Sequence, residues 1–177
     1  MDRPNFIVMT AVGPDKKGLV NAIAREIHEA GANLEDSRMA ILGGEFALLL
    51  LVAGPRPALE RLCRATPELE QRLGLSIVSK WTERLAPSSP FLPYELKVSG
   101  FDRPGIVHQV SELLARLDIN VASLESRIAF APLSGTPMFI LEASLQIPGR
   151  STLRQLKQEL AQTCDEIDLD FSLEAHS

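Results

Sequence analysis

The sequence has too few residues of several kinds to belong to some common classes of protein. Its 177 residues include two cysteines, Cys63 and Cys164, which is too few for a disulfide scaffold or a four-ligand zinc site. The three histidines, His28, His108 and His176, are far apart and lack the spacing of metal ligands. No apolar run reaches the roughly 18 residues of a membrane span, and the first residues lack the basic start of a secretory signal. We therefore expect a cytoplasmic protein with no metal site and no cofactor.

Positive charge is also scarce. The chain carries 18 Lys and Arg against 23 Asp and Glu, a net charge of −5. Residues 1–86 have 11 basic and 11 acidic side chains, whereas residues 87–177 have 7 basic and 12 acidic ones. Neither half has the basic surplus that neutralises nucleic-acid phosphates. Direct binding to DNA or RNA is therefore disfavoured, and so is attraction to an anionic membrane surface.

An internal repeat organises the chain. Residues 13–20 read Gly-Pro-Asp-Lys-Lys-Gly-Leu-Val, and residues 100–107 read Gly-Phe-Asp-Arg-Pro-Gly-Ile-Val. Ser37-Arg38-Met39-Ala40 then recurs as Ser126-Arg127-Ile128-Ala129 at an offset two residues longer, which predicts an insertion that keeps the side chains of a strand on the same face. Repeats of this kind indicate duplicated structural units. We predict one unit over residues 1–84, a linker rich in Pro and Ser over 85–93, and a second unit over 94–177.

Each unit has the pattern strand, helix, strand, strand, helix, strand. In the first helix, Asp15 precedes an apolar stripe at helical spacing that consists of Val20, Ile23, Ala24 and Ile27. Gly43-Gly44 lies between two strand-like segments, over residues 33–42 and 45–53, and indicates a hairpin. The order βαββαβ predicts an α+β fold of two tandem ferredoxin-like sandwiches, each with two helices on one face of an antiparallel sheet.

The sheet face away from the helices differs between the two units. In the second unit it is partly polar, with Glu142 and Ser144 alternating with apolar residues. In the first unit, residues 46–53 are apolar at both alternating positions, as expected for a strand buried on both faces. We expect the outer face of the first unit to be covered by the other unit, a second copy of the chain or a partner protein, and the chain to form homo-oligomers.

The two Gly-x-Asp-x-x-Gly segments join the first strand of each unit to its first helix. The start of a helix offers free backbone N–H groups and partial positive charge, which suit a carboxylate. Asn33 and Asn120 begin the next strands and offer both a donor and an acceptor. The same residues also fit a purely structural role, in which Asp15 and Asp102 cap the helices and the second glycine permits close packing. A capping aspartate can serve both purposes, so the two interpretations remain open here.

This arrangement resembles the ACT domain, a small regulatory module that senses metabolites. Two such units with almost nothing else resemble the glycine cleavage system transcriptional repressor family, most closely in residues 33–40 and 135–139. ACT domains bind amino acids at interfaces between units, and the resemblance implies ligand-binding residues at Asp15, Gly18, Leu19, Asn33, Asp102, Gly105, Ile106 and Asn120. Lys16-Lys17 stands where the second unit has Arg103-Pro104, so the resemblance leaves open whether both sites bind.

The sequence contains no recognisable catalytic constellation. Cys63 and Cys164 fall on apolar helical stripes, which favours core packing over a catalytic thiol. His108 lies one turn into the first helix of the second unit, near the candidate site, where a solvated position is favoured over ligand contact. Phosphate loops, nucleophile elbows and zinc-protease motifs do not occur. We therefore expect no catalytic residues.

These observations lead to a functional hypothesis. We expect a non-enzymatic regulatory protein that senses an amino acid, with glycine as the candidate, and that acts on transcription indirectly through a protein such as a transcription factor. The alternative is an ACT-type regulatory subunit that acts in trans on an enzyme of amino-acid or one-carbon metabolism. An autonomous enzyme is the least favoured of the three.

Overall fold

The computed structural model describes residues 5–84, 90–130 and 135–176. The chain divides into two compact units, residues 1–86 and 87–177, which we call unit one and unit two. Each unit has the order βαββαβ, so the predicted α+β fold of two tandem sandwiches is confirmed. Within the predicted linker, residues 85–89 lie outside the described residues, and Leu92 already belongs to the first strand of unit two. No helix in the described residues is long and apolar enough to span a membrane.

The secondary structure of unit one matches the predicted order closely. Its elements are β1 (Asn5–Pro14), α1 (Leu19–Glu29), β2 (Asn33–Leu42), β3 (Glu45–Gly54), α2 (Arg56–Leu73) and β4 (Ser76–Thr82). The β2–β3 turn is the predicted Gly43-Gly44 pair, whose φ angles of 61° and 87° are both positive. A two-residue hairpin turn with two positive φ angles favours glycine, which explains this pair.

Unit two repeats the arrangement with one longer turn. Its elements are β5 (Leu92–Phe101), α3 (Ile106–Arg116), β6 (Asn120–Phe130), β7 (Pro137–Ile147), α4 (Arg150–Glu166) and β8 (Leu169–Ala175). The first helix of this unit buries an apolar stripe that consists of Ile106, Val110, Leu113 and Leu114.

Both sheets are antiparallel and have equivalent strand orders, β2-β3-β1-β4 and β6-β7-β5-β8. The two central strands of each sheet alternate between buried and more exposed residues, because only one face packs on the helices. The buried residues form one hydrophobic cluster in each unit, which includes Ile7, Met9 and Leu50 in unit one and Val98 and Leu141 in unit two. Burial of each such side chain contributes about 1.5–3 kcal/mol.

The predicted stripe of α1 is wrong in part. The buried residues are Leu19, Ile23 and Ile27, whereas Val20 and Ala24 are exposed. Both sets have helical spacing, so periodicity alone cannot choose between them. Leu19, Ile23 and Ile27 follow one another at intervals of four residues on the face of α1 that packs on the sheet, and Val20 and Ala24 lie beside that face.

The predicted two-residue insertion between the repeats is also wrong. Leu51 and Ser144 are equivalent residues of the third strands, and they pair with Asp36 and Ser123. Asp36 is therefore equivalent to Ser123, which is the same offset of 87 residues that relates Gly13 to Gly100 in the first strands. The extra residues of unit two all fall in the β6–β7 turn, of which residues 131–134 lie outside the described part. The recurring Ser-Arg pair is therefore displaced by two residues along the strand, which leaves Arg38 and Arg127 on the same face.

Candidate ligand-binding loops

The first glycine of each loop motif has a structural role. A Cβ atom on Gly13 would lie 2.8 Å from the carbonyl oxygen of Gly74, and one on Gly100 would lie 2.9 Å from that of Asp168. Both contacts are with the turn that precedes the last strand of the unit. Glycine here lets the end of the first strand approach that turn closely, so no ligand is needed to explain it.

The second glycine of each motif allows a left-handed backbone conformation and faces open space. Gly18 and Gly105 are the N-caps of α1 and α3, with φ angles of 90° and 95°. Side chains other than glycine rarely adopt this conformation. A Cβ atom at either position would meet nothing within 4 Å, so the expectation of close helix packing is wrong. The space in front of each helix is instead open at the glycine.

The aspartates do not cap the helices, which corrects the structural interpretation of the sequence. Neither α1 nor α3 has a side-chain hydrogen bond at its cap. Asp15 and Asp102 lie three residues before the cap glycines and are exposed. Their backbone N–H groups donate to the carbonyl oxygens of Gly44 (3.1 Å) and Pro137 (3.4 Å), which ties each loop to the hairpin of its unit. Each helix therefore starts with N–H groups that no capping side chain covers, close to an exposed carboxylate.

Leu19 and Ile106 are core residues. Their side chains are 4% and 3% exposed and belong to the two hydrophobic clusters. Any contact with a ligand is therefore limited to their backbone N–H groups at the first helical position, where a helix offers unpaired donors.

A single unit does not bring the asparagines to the loops. Pro14 pairs with Glu45 at one end of β3, and Asn33 pairs with Ala53 at the other end. Eight residues of strand correspond to about 27 Å. Asn120 is equally distant from Asp102, and its Nδ2 donates to Gln146 Oε1 at 2.7 Å. A role for Asn33 or Asn120 beside these loops would require a second ACT-like unit and stays a prediction.

The basic residue after each aspartate packs against the turn before the last strand. Lys16 Nζ lies 3.2 Å from the position of a Cβ atom on Gly74, the residue that caps the C-terminus of α2. Arg103 forms an ion pair of 3.4 Å with Asp168 at the equivalent turn of unit two. A cation near a helix C-terminus is favoured by the helix dipole. Both basic side chains therefore lie at the turn before the last strand, where Arg103 forms an ion pair.

A cavity of about 430 Å³ opens beside the loop of unit one. It is lined by polar groups from Asp15, Lys16, Gly18 and Asn21 and by the apolar residues Leu19, Val20, Ala24, Met39, Ile41 and Phe46. Asn21, Met39 and Ile41 were not among the predicted ligand-binding residues. A signal for the last two was present, because Met39 and Ile41 lie on one face of β2 and Ile41 pairs with Phe46 across the hairpin.

The groups considered for catalysis have other roles. Burial raises the pKa of the Cys63 and Cys164 thiols, which disfavours the nucleophilic thiolate. His108 is exposed and lies 3.9 Å from Glu112 on the same helix, consistent with a solvated position. Within the described ranges, no group of three His, Cys, Asp or Glu residues could hold a metal ion.

Comparison with known proteins identifies the class of protein that this fold and these loops define. Residues 5–80 and residues 94–161 each match the ACT domain family. The chain belongs to the ACT domain family and carries two ACT domains in tandem. The predicted resemblance is therefore confirmed for both units.

The similarity extends to particular proteins over almost the whole chain. The glycine cleavage system transcriptional repressor of Escherichia coli (strain K12) is 29% identical over 170 residues, which cover 96% of this chain and 89% of that protein. A crystal structure provisionally named a glycine cleavage system transcriptional repressor has a TM-score of 0.74 and 28% identity, with 99% of both chains covered. An unknown protein from Galdieria sulphuraria has a TM-score of 0.81 and 27% identity, with 99% of this chain and 100% of that chain covered. The similarity to these proteins and the two ACT domains support a regulatory, amino-acid-sensing role.

Proposed function

We propose that this chain is a cytoplasmic, non-enzymatic regulator that binds a free amino acid at the loop of unit one and acts on transcription through a protein partner. Glycine is the first candidate effector, because the name of the similar E. coli protein refers to the glycine cleavage system. The observation that carries the proposal is the uncapped start of α1, which lies beside the exposed carboxylate of Asp15 at the mouth of a cavity.

This arrangement offers complementary groups for both ends of an amino acid. The N–H groups of the first turn of α1 and the positive end of the helix dipole suit the α-carboxylate. The Asp15 carboxylate suits the ammonium group, with which it would form a charge-assisted hydrogen bond. The loop of unit two has the same uncapped helix start and Asp102, and it forms the second candidate site.

Ligand binding would regulate by shifting a conformational equilibrium. A ligand can shift that equilibrium only as far as its affinity differs between the two states. The loop of unit one is tied to the β2–β3 hairpin through Asp15 and Gly44, so a ligand there would bias the position of an exposed edge strand. We propose that this edge transmits the signal to the partner.

Calorimetry on the full chain tests the ligand site. We expect saturable binding of glycine or another amino acid, and weaker binding of acetate and methylamine, which each lack one charged group. Asp15→Ala should weaken binding to unit one by at least about tenfold, because a hydrogen bond to a charged group is lost. Asp102→Ala is the matched change in unit two and tells whether that site binds. If no amino acid produces heat or a thermal shift at millimolar concentration, the sensing proposal is wrong.

A second experiment tests the indirect action on transcription. With a net charge of −5 and no basic surplus in either half, the chain should not bind DNA by itself at physiological salt. We expect the tagged full chain to capture a DNA-binding regulator from cells, in an amount that changes when the amino acid is added. Binding of the purified chain to DNA with a steep salt dependence would contradict this part, and specific capture of a metabolic enzyme would favour the regulatory-subunit alternative.

A further inference from the structure

The outer face of the unit-one sheet, which is the face away from α1 and α2, has an apolar centre. The apolar side chains there are Val8 and Val12 of β1, Ala47, Leu49 and Leu51 of β3, and Val78 of β4, with Thr10 of β1 among them. Leu49 is 45% exposed and Val78 is 63% exposed. A monomeric protein rarely exposes a contiguous apolar patch of this kind.

The fold does not require this apolar composition. Unit two has the same strand order and the same pairing, and the residues at the equivalent positions are largely polar. Glu95, Glu142, Ser144 and Ser172 occupy the positions of Val8, Leu49, Leu51 and Val78. A sheet of this architecture is therefore stable with a solvated outer face, so the apolar face of unit one needs a different explanation.

In the two rows that cross the centre of this face, the charged residues lie only on the edge strands, and Glu45 adds a carboxylate at the hairpin end of β3. The strand pairing places Asp36 of β2, Leu51, Val8 and Lys80 of β4 in one row across the sheet, so opposite charges end the same row. Arg38 of β2 and Val78 of β4 end the neighbouring row. An apolar centre with a charged rim is the usual anatomy of a protein interface.

We propose that this outer face packs against the same face of a second copy of the chain, around a two-fold axis nearly parallel to the strands. This rotation lays β4 of one copy over β2 of the other, so Lys80 faces Asp36 of the second copy at two symmetric places. A two-fold axis across the strands would instead lay β2 over β2 and β4 over β4, so Lys80 would face β4 of the second copy and could not pair with Asp36. Opposite charges across an interface fix its register, and like charges oppose it.

The outer face of unit two is a poor occupant for this patch. It carries Glu95, Glu142 and Glu174 near its centre and edge, and burial of these carboxylates against valine and leucine would leave charges without water. A second copy of the apolar face has no such cost. Two apolar sheet faces can pack about 10 Å apart with their strands within about 30° of each other.

The size of the face sets the expected strength of the dimer. Four strands about 4.8 Å apart and about seven residues long give a flat area of about 450 Å² on each copy. The total of about 900 Å² is below the roughly 1,200 Å² of stable specific interfaces. We therefore expect a reversible dimer whose population rises with protein concentration.

Sedimentation of the full chain over a wide concentration range tests the interface. The wild type should form dimers as the concentration rises. Val78→Arg should raise the dissociation constant at least about tenfold, because it places an arginine opposite Arg38 of the second copy. Ser172→Arg makes the same change at the equivalent position of unit two and should leave the dimer unchanged. Circular dichroism should show that both variants fold, since both positions are exposed.

Charge exchange tests the pairing. Asp36→Lys and Lys80→Glu should each weaken the dimer, and the double variant should restore it, because the pair is then reversed rather than lost. Ser123→Lys, at the position equivalent to Asp36, should have no effect. The proposal is overturned if the wild type stays monomeric at every concentration or if Val78→Arg dimerises normally. A double variant as weak as the single ones overturns the proposed axis.

Discussion

The two units have nearly the same backbone but opposite outer sheet faces. Where unit one has Leu49 beside Thr10, unit two has Glu142 beside Lys97, whose charged atoms are 3.1 Å apart. Glu142 also lies 3.4 Å from Arg127. In the two central rows of unit one, which begin at Asp36 and Arg38, the charged residues lie on edge strands. In the equivalent rows of unit two, charged residues also lie on both central strands.

This difference shows which part of the sheet the fold constrains. The inner faces are apolar in both units because they pack on the helices, as Leu50 and Leu141 do. The outer faces are free to differ, since no element of their own unit covers them. The residues of an outer face therefore indicate whether that face contacts solvent or another surface. The residues of an inner face indicate only that it packs on the helices.

The largest expected effect tests this separation of the two faces. Leu50 is 3% exposed and Leu49, its neighbour on β3, is 45% exposed. Leu50→Ala should lower the free energy of unfolding by about 2–5 kcal/mol, because it leaves a cavity in the core. Leu49→Ala should cost less than about 1 kcal/mol in the monomer. Denaturant unfolding at a dilution where the chain is monomeric measures both, and equal costs would contradict the separation.

A smaller effect is expected at the loop that both units share. Gly18→Ala and Gly105→Ala should each cost about 1–2 kcal/mol, because φ angles of 90° and 95° are strained for alanine. The space at both positions is open, so the cost is in the backbone and not in a clash. Thermal unfolding checks this, with Gly149→Ala as the control, since that glycine is extended and its Cβ atom would also meet nothing. A negligible cost at Gly18 would mean that its conformation is not required.

Exchange of the outer-face residues should exchange the behaviour of the two units. Thr10→Lys with Leu49→Glu gives unit one the ion pair of unit two, and we expect it to abolish dimer formation with a stability change within about 1 kcal/mol. Lys97→Thr with Glu142→Leu is the reciprocal change, and we expect increased self-association. Sedimentation of both variants tests the comparison directly. If neither variant differs from the wild type, the composition of the outer faces has no part in assembly.

The sequence predicts most of the fold because its repeat and its periodicities are local signals. The hairpin at Gly43-Gly44 and the strand over Asn33–Leu42 were predicted at their observed limits. The start of α1 was not, because Asp15 is a favourable cap residue and the cap glycine at Gly18 is recognised only from its φ angle. All ten residues of β2 are exposed, and β2 lies at a sheet edge, a position that depends on strand order and not on local sequence.

The candidate site was predictable only in part, for a related reason. The sequence identified the loops at Asp15 and Asp102, since a recurring motif marks them. The cavity residues Met39 and Ile41 come from a different strand, and only the three-dimensional fold brings them beside α1. Asn33 shows the opposite case, because it recurs in the sequence but lies at the far end of its own unit.

The smallest expected effect concerns the charge network that unit one lacks. Lys97 holds the pKa of Glu142 below its usual range, through a hydrogen bond and its charge, and Arg127 adds less. A carboxylate with a lowered pKa in the folded state adds stability above its unfolded pKa, and this stability is lost as the pH falls through the folded pKa. Lys97→Met should therefore raise the pKa of Glu142 toward its usual value, and Arg127→Met should raise it less. A pH titration of the Glu142 side chain by NMR measures both shifts. A larger rise with Arg127→Met would show that the main partner of Glu142 is Arg127 of the edge strand β6 and not Lys97 of the central strand β5. The exchange of Lys97 and Glu142 for Thr10 and Leu49 would then not be the main difference between the two outer faces.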